Sequence, residues 1–84
     1  MYSIEWHKRA FKQLKRVPNQ DQRRIMASVS ELKQWPECRH VKALANHHCE
    51  YRLRVGNFRI FFDVDDHVRT IKIEEVKKRD ERTY

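Results

Sequence analysis

The sequence predicts an α+β fold in which an N-terminal strand and a helical hairpin pack on a mostly antiparallel sheet, in the order β-α-α-β-β-β. Three observations predict it. Gly56-Asn57 separates two runs of alternating polarity, Tyr51 to Val55 and Phe58 to Phe62, the signature of a two-residue hairpin. Trp6, Ala10 and Leu14 recur at four-residue spacing, and Ile25, Met26, Val29 and Leu32 continue with helical period beyond a Val17-Pro18-Asn19 break. A third alternating run, Val68 to Val76, follows the turn-forming Asp65-Asp66-His67. One layer of helices against one sheet is the packing that hides both apolar faces.

Taken in order, Tyr2 to Trp6 alternates weakly and predicts a short strand. The first helix turns Trp6, Ala10 and Leu14 inward, with Phe11 and Val17 beside them, and Lys8, Arg9, Lys12, Lys15 and Arg16 outward. Pro18 ends it, because the residue before a proline is biased away from helix. Asn19, with Gln22 three residues on, predicts a capping box for a second helix. That helix turns Ile25, Met26, Val29 and Leu32 inward and stops near Trp35-Pro36. Residues 36–48 read as irregular, with Leu44 as an apolar plug. In the hairpin, Val55 is expected opposite Phe58 and Arg54 opposite Arg59. A two-residue turn within Asp65-Asp66-His67 leads to the last strand, with Ile71 and Ile73 facing the core. Lys72 and Glu74 are then expected on the arginine face, Glu74 near Arg59.

With 84 residues, the chain suffices for one small domain spanning 1–84 and one thin core. The net charge of +7 favours nucleic acid or an acidic protein as partner and makes association salt-dependent. Residues 1–24 carry seven Lys and Arg against Glu5 and Asp21. No apolar run approaches a membrane span, and no signal-peptide stretch opens the chain. Cys38 and Cys49 make no disulfide framework, so a cytoplasmic protein with reduced thiols is expected. Cys38, His40, His47, His48 and Cys49 match no zinc-ligand spacing, and Cys49 is expected to face the core with Tyr51. Neither metal nor cofactor is expected.

The hairpin carries the functional signal. Side chains alternate faces along a strand, so Tyr51, Leu53, Val55, Phe58, Ile60 and Phe62 share one face and Arg52, Arg54 and Arg59 share the other. Like charges directly opposite destabilise a sheet. A polyanion lying across that face removes the repulsion, and RNA is the obvious one. Phe61 alternates onto the same face, where a ring can stack on a base.

This order of elements resembles the RelE/ParE toxin superfamily of bacterial toxin–antitoxin modules over essentially the whole chain. The resemblance is carried by Val41-Lys42-Ala43-Leu44, by Tyr51-Arg52-Leu53-Arg54-Val55-Gly56-Asn57-Phe58-Arg59-Ile60-Phe61-Phe62, and by the terminal Lys78-Arg79-Asp80-Glu81-Arg82-Thr83-Tyr84. RelE-type members cleave messenger RNA in the ribosomal A site and are held inactive by a cognate antitoxin. ParE-type members share the fold but poison DNA gyrase and lack the nuclease residues.

By position, the resemblance implies a RelE-type catalytic set of Arg52, Arg54, Arg59, Arg79 and Tyr84. Lys78 and Arg82 rival Arg79 for the late arginine. Lys8, Lys12, Lys15, Phe61, Lys72, Lys78 and Arg82 are the remaining candidates for RNA binding. RelE itself has lysine at the positions of Arg52 and Arg54, and His47-His48 stands where a small residue is common. Arginine stays protonated, so general acid–base work remains open among His47, His48 and Glu50. The resemblance further implies an antitoxin partner that binds operator DNA for the complex, action on ribosome-bound messenger RNA, and no membrane. Two alternatives stay open: a ParE-like gyrase inhibitor and a non-catalytic RNA-binding module.

Overall fold

The computed structural model describes residues 1–79. Strand β1 (Ser3–Trp6) leads into helix α1 (Lys8–Lys15) and helix α2 (Asn19–Ser30), which tightens into a 3-10 turn at Glu31–Gln34. Strands β2 (Val41–Ala43), β3 (Tyr51–Val55), β4 (Phe58–Asp65) and β5 (Thr70–Lys78) complete the fold. The sheet order is β1-β5-β4-β3-β2, with β1 parallel to β5 and the other pairs antiparallel. Two helices on a mostly antiparallel sheet is the predicted fold class, extended by one strand.

That strand lies in the stretch expected to be irregular. Val41-Lys42-Ala43 has too little alternation to declare itself; pairing with β3 makes it a strand. Its flanks turn at His40 (φ 61°) and Asn46 (φ 56°). Val41 packs against the core here, whereas Leu44, the expected plug, is outside the core cluster.

The helices settle with small shifts. His7, not a hydroxyl or carboxylate, caps α1, its Nδ1 accepting from the Arg9 amide at 3.0 Å. Asn19 is the first residue of α2 and Pro18 holds the capping position, so the expected capping box is absent. Gln22 instead donates its side-chain amide to the carbonyls of Val17 (2.7 Å) and Lys15 (3.3 Å), tying the two helices together. Ala10, Leu14, Ile25, Val29 and Leu32 are buried as expected, while Met26 and Phe11 are each 46% exposed.

The hairpin has the expected register, Val55 opposite Phe58 and Arg54 opposite Arg59. Gly56 adopts φ 57°, the left-handed conformation that a tight hairpin turn requires. A Cβ there would also lie 3.2 Å from Arg24 Nη2 of α2. The next connection is longer than predicted: β5 begins at Thr70, opposite Asp65, rather than at Val68, which is 65% exposed. Asp65 Oδ1 accepts the amides of His67 (3.0 Å) and Val68 (3.4 Å) and shapes this turn. The pairing moved by an even number of residues, so Ile71 and Ile73 still face the core.

A single irregularity in β5 resets the face of every side chain beyond it. Phe61 pairs with Glu75 but Phe62 pairs with Ile73, so Glu74 is an extra residue in β5. Past Glu74 the alternation flips. Val76 joins the core, while Glu75 and Lys77 take the opposite face. Two side chains of α1 meet this bulge: Gln13 Oε1 accepts the Val76 amide at 2.7 Å, and Arg9 Nε donates to the Glu74 carbonyl at 3.5 Å. Glu74 is therefore not the neighbour of Arg59 that simple alternation predicts.

The core lies between the helices and one sheet face, centred on Ile25, Leu32, Ile60, Phe62, Ile71 and Ile73. Trp35 closes its edge, with edge-to-face contacts to Tyr51 (4.7 Å) and Phe62 (5.7 Å). Phe62 is fully buried. We expect Phe62→Ala to cost roughly 3–5 kcal/mol, read as a lower urea midpoint.

Candidate functional site

Among the described residues no helix covers the opposite face of the sheet, which carries cations. Register and alternation set them in two rows. Lys42, Arg52, Phe61 and Glu75 form one row across β2, β3, β4 and β5; Arg54, Arg59 and Lys77 form the next. The main chain then brings a further arginine to the hairpin tip, where the Arg79 amide donates to the Asn57 carbonyl at 2.6 Å. The result is a cavity of about 210 Å³ lined by Arg52, Arg54, Gly56, Asn57, Phe58, Arg59 and Arg79. That is several times the ~30 Å³ share of one liquid water.

Among the described residues no acid lines this cavity, and none of its four arginines is in an ion pair. Arg52 Nε is buried with no hydrogen-bond partner there. Arg59 faces Arg54 on one side and Lys77 on the other. Glu75, in the neighbouring row, has its oxygens 3.6 Å from His48 Nε2 and 3.6 Å from Lys77 Nζ. Planar guanidinium groups suit paired donation to a phosphate. What the cavity can do chemically is bind an anionic group and stabilise further negative charge upon it.

Larger grooves flank the same turn on the helix side. One, of about 520 Å³, lies between Arg24, Ser28, His40 and Arg54; another, of about 430 Å³, lies between Arg16, Asp21, Arg24 and Lys78. They are larger, but neither is lined by four arginines.

The other candidates are placed differently. Tyr84 and Arg82 lie outside the described residues. Lys78 pairs with Phe58 beyond the bulge and turns to the helix side, away from the arginine cavity. Lys72 shares the arginine face but at its far end, opposite Asp63, with its Nζ 3.9 Å from Asp65. Lys8, Lys12 and Lys15 are on α1, in the layer covering the other face, so they do not extend the arginine site. Phe61 is on the arginine face as expected but only 8% exposed. His47 covers its ring in a stack at 4.7 Å and 17°, so Phe61 itself is not free to receive a base. Glu50 is bound into the sheet, its Oε1 accepting the Val64 amide at 2.9 Å.

Sequence reasoning misses Lys42, Lys77 and Glu75. Lys42 is hidden because β2 carries no alternation of its own. Lys77 and Glu75 are hidden because the bulge reverses the alternation.

Cys49 is buried but is not part of the helix-side core; its sulfur and the imidazole nitrogens of His47 and His48 all lie within 4.8 Å of one another. These groups do not suit a metal ion. The His47 and His48 rings are stacked, 22° from parallel, so their in-plane lone pairs do not converge. His47 Nδ1 already accepts the Cys49 amide at 3.0 Å. Burial, and then Asp63, Glu74 and Glu75, push the Cys49 thiol up to about 11.

The structure aligns with toxins of known fold. An archaeal RelE in its RelE–RelB complex from Pyrococcus horikoshii OT3 is 28% identical, with 95% of this chain and 97% of that one covered and a TM-score of 0.80. The toxin–antitoxin complex RelBE2 of Mycobacterium tuberculosis gives 22% identity over 93% and 98%, with a TM-score of 0.80. The isolated E. coli RelE toxin gives 15% identity over 99% and 89%, with a TM-score of 0.83. The last two likenesses speak for the fold alone. A family model described as the ParE toxin of the type II toxin–antitoxin system parDE matches residues 4–83. No curated protein matches the chain significantly.

Three predictions follow from this arrangement. Arg59→Gln removes the middle cation of its row and should stabilise the fold by roughly 0.2–1 kcal/mol in low salt. The gain should shrink in high salt, as read by thermal unfolding at two ionic strengths. Cys49 should alkylate at pH 8 roughly tenfold or more slowly than in the unfolded chain. The stability linked to its neutral thiol is complete below pH 9.0 and is lost as pH rises toward about 11. Stability should therefore fall more across that window in the wild type than in Cys49→Ala.

Proposed function

The chain belongs to the ParE toxin family of type II toxin–antitoxin systems, within the RelE/ParE superfamily, and we propose that it is a RelE-type endoribonuclease cutting messenger RNA in the ribosomal A site. One observation carries the choice: Arg52, Arg54, Arg59 and Arg79 line a single small cavity that no acid neutralises among the described residues. A toxin that acts only by occupying a protein surface gains nothing from concentrating repulsive charge in a concave site. An enzyme that holds a phosphodiester does.

In the proposed reaction the RNA supplies its own nucleophile. The 2′-hydroxyl attacks the adjacent phosphorus, the bond to the departing 5′-oxygen breaks, and a cyclic phosphate remains on the upstream piece. Arg59 and Arg79 hold the scissile phosphate and stabilise its added charge. Arg52 and Arg54 hold the neighbouring backbone and favour the anionic form of the attacking oxygen. Arginine itself remains protonated, so these residues act by electrostatics and positioning. Tyr84, outside the described residues, is proposed to orient the 2′-hydroxyl or stack on a base. No metal or other cofactor enters this scheme. We further propose that residues 1–84 work as one domain in the cytoplasm, neutralised by a cognate antitoxin that covers the arginine face. In that complex the antitoxin contacts operator DNA.

The matching family model is named for ParE, which favours gyrase inhibition as the second reading. A single experiment separates the two. After brief expression, messenger RNA ends are mapped on ribosomes and plasmid supercoiling is measured in the same cells. Cuts in phase with codons are expected, and Arg59→Ala should reduce them roughly 100-fold or more, as loss of a transition-state donor does, while the protein stays folded. Intact messages with broken or abnormally supercoiled DNA would favour gyrase.

A further inference from the structure

Alternation puts Phe61 where a base could stack, yet its ring is covered. What covers it is another stack. His47 lies on Phe61 at 4.7 Å and 17°, and His48 lies on His47 at 4.4 Å and 22°. The three rings rise in sequence from the arginine face of the sheet, in the row that also holds Arg52. Phe61, at the bottom, is 8% exposed, whereas the His48 side chain, at the top, is 62% exposed. Among the described residues no further aromatic ring covers the outer side of His48.

The two lower rings of the stack are held in place, and a carboxylate lies beside the top one. The Cys49 amide donates to His47 Nδ1 at 3.0 Å, which fixes the middle ring. Glu75, turned onto this face by the bulge at Glu74, lies 3.6 Å from His48 Nε2, beside the edge of the top ring. Phe61 is anchored in the sheet between Arg52 and Glu75. A ring positioned in advance costs little further ordering when a ligand arrives. Two residues along β4, roughly 7 Å at strand spacing, lies the Arg54–Arg59–Lys77 row. Flat aromatic surface beside a line of cations is how proteins hold single-stranded nucleic acid, bases on the rings and phosphates on the cations.

We propose that the exposed face of His48 is a stacking platform for one base of a single-stranded RNA whose phosphates lie against Arg52, Arg54 and Arg59. This deepens the reading above and rests on RNA as the ligand. It transfers the stacking role from Phe61, which becomes the foundation of the platform, to His48, two rings further out. Lys77 Nζ, 3.6 Å from the Glu75 carboxylate, offsets part of its repulsion of an approaching phosphate.

The test measures binding, not cutting, so it stands apart from the ribosome experiment. The probe is a 2′-O-methyl hexanucleotide, which cannot cleave itself, carrying 2-aminopurine at each position in turn. A second probe lacks the base at the position that responds. Full-length wild-type protein should quench the fluorophore at one position. His48→Ala should abolish that quenching and weaken binding of the base-containing probe about tenfold. It should bind the abasic probe as the wild type does, and His48→Trp should restore both quenching and affinity. Arg59→Ala should weaken both probes alike. The proposal is overturned if no position is quenched, if His48→Ala binds the base-containing probe as the wild type does, or if it weakens both probes equally.

Discussion

The register of β3 against β4 governs the whole molecule. Strand side chains alternate, so a single pairing sends Leu53, Val55, Ile60 and Phe62 toward the helices and Arg52, Arg54 and Arg59 to the other side. A slip of one residue would exchange the two sets. Buried hydrocarbon and the Gly56 turn therefore hold the arginines in place, even though the arginines repel one another. The apolar half of the sheet stabilises what the basic half costs, and the site exists because the core does.

The bulge at Glu74 completes that design on the other side of β4. Without it, β5 would present Glu75 to the core. With it, Val76 fills the core, Lys77 stands next to Arg59, and Glu75 reaches His48. The amide and carbonyl beside the irregularity are taken by Gln13 and Arg9 of α1, so the helix layer holds in place a feature whose consequences emerge on the opposite face. Basic charge is thus sorted by layer. Lys8, Lys12 and Lys15 belong to the helix side, while the arginine cavity belongs to the bare sheet.

Much of the fold is legible in the sequence because its signals are local. The helix periods, the Pro18 break, the Gly56-Asn57 turn and the alternation around it depend on residues close in sequence. Strand β2 is not legible, since three residues of weak alternation become a strand only by pairing with β3. Nor is the bulge, because its cause is the packing of β5 against both β4 and α1. The same division runs through the site. Arg52, Arg54 and Arg59 are set by alternation alone, whereas Lys42 depends on β2, and Lys77 and Glu75 depend on the bulge. Alternation puts Phe61 on the right face, but the loop that folds His47 over it carries no periodic signal.

From its residues alone, the chain determined an α+β fold with an apolar sheet face, a basic sheet face and a hairpin between Val55 and Phe58. These arise from side-chain alternation and turn chemistry, which act over a few neighbours. Only the tertiary structure decided which cations meet. It brought Arg79 to the hairpin tip, turned Lys78 away, set Lys72 at the far end of the face, and raised His48 on Phe61. Those outcomes depend on contacts between segments far apart in sequence, where one extra residue in a strand reverses every side chain beyond it.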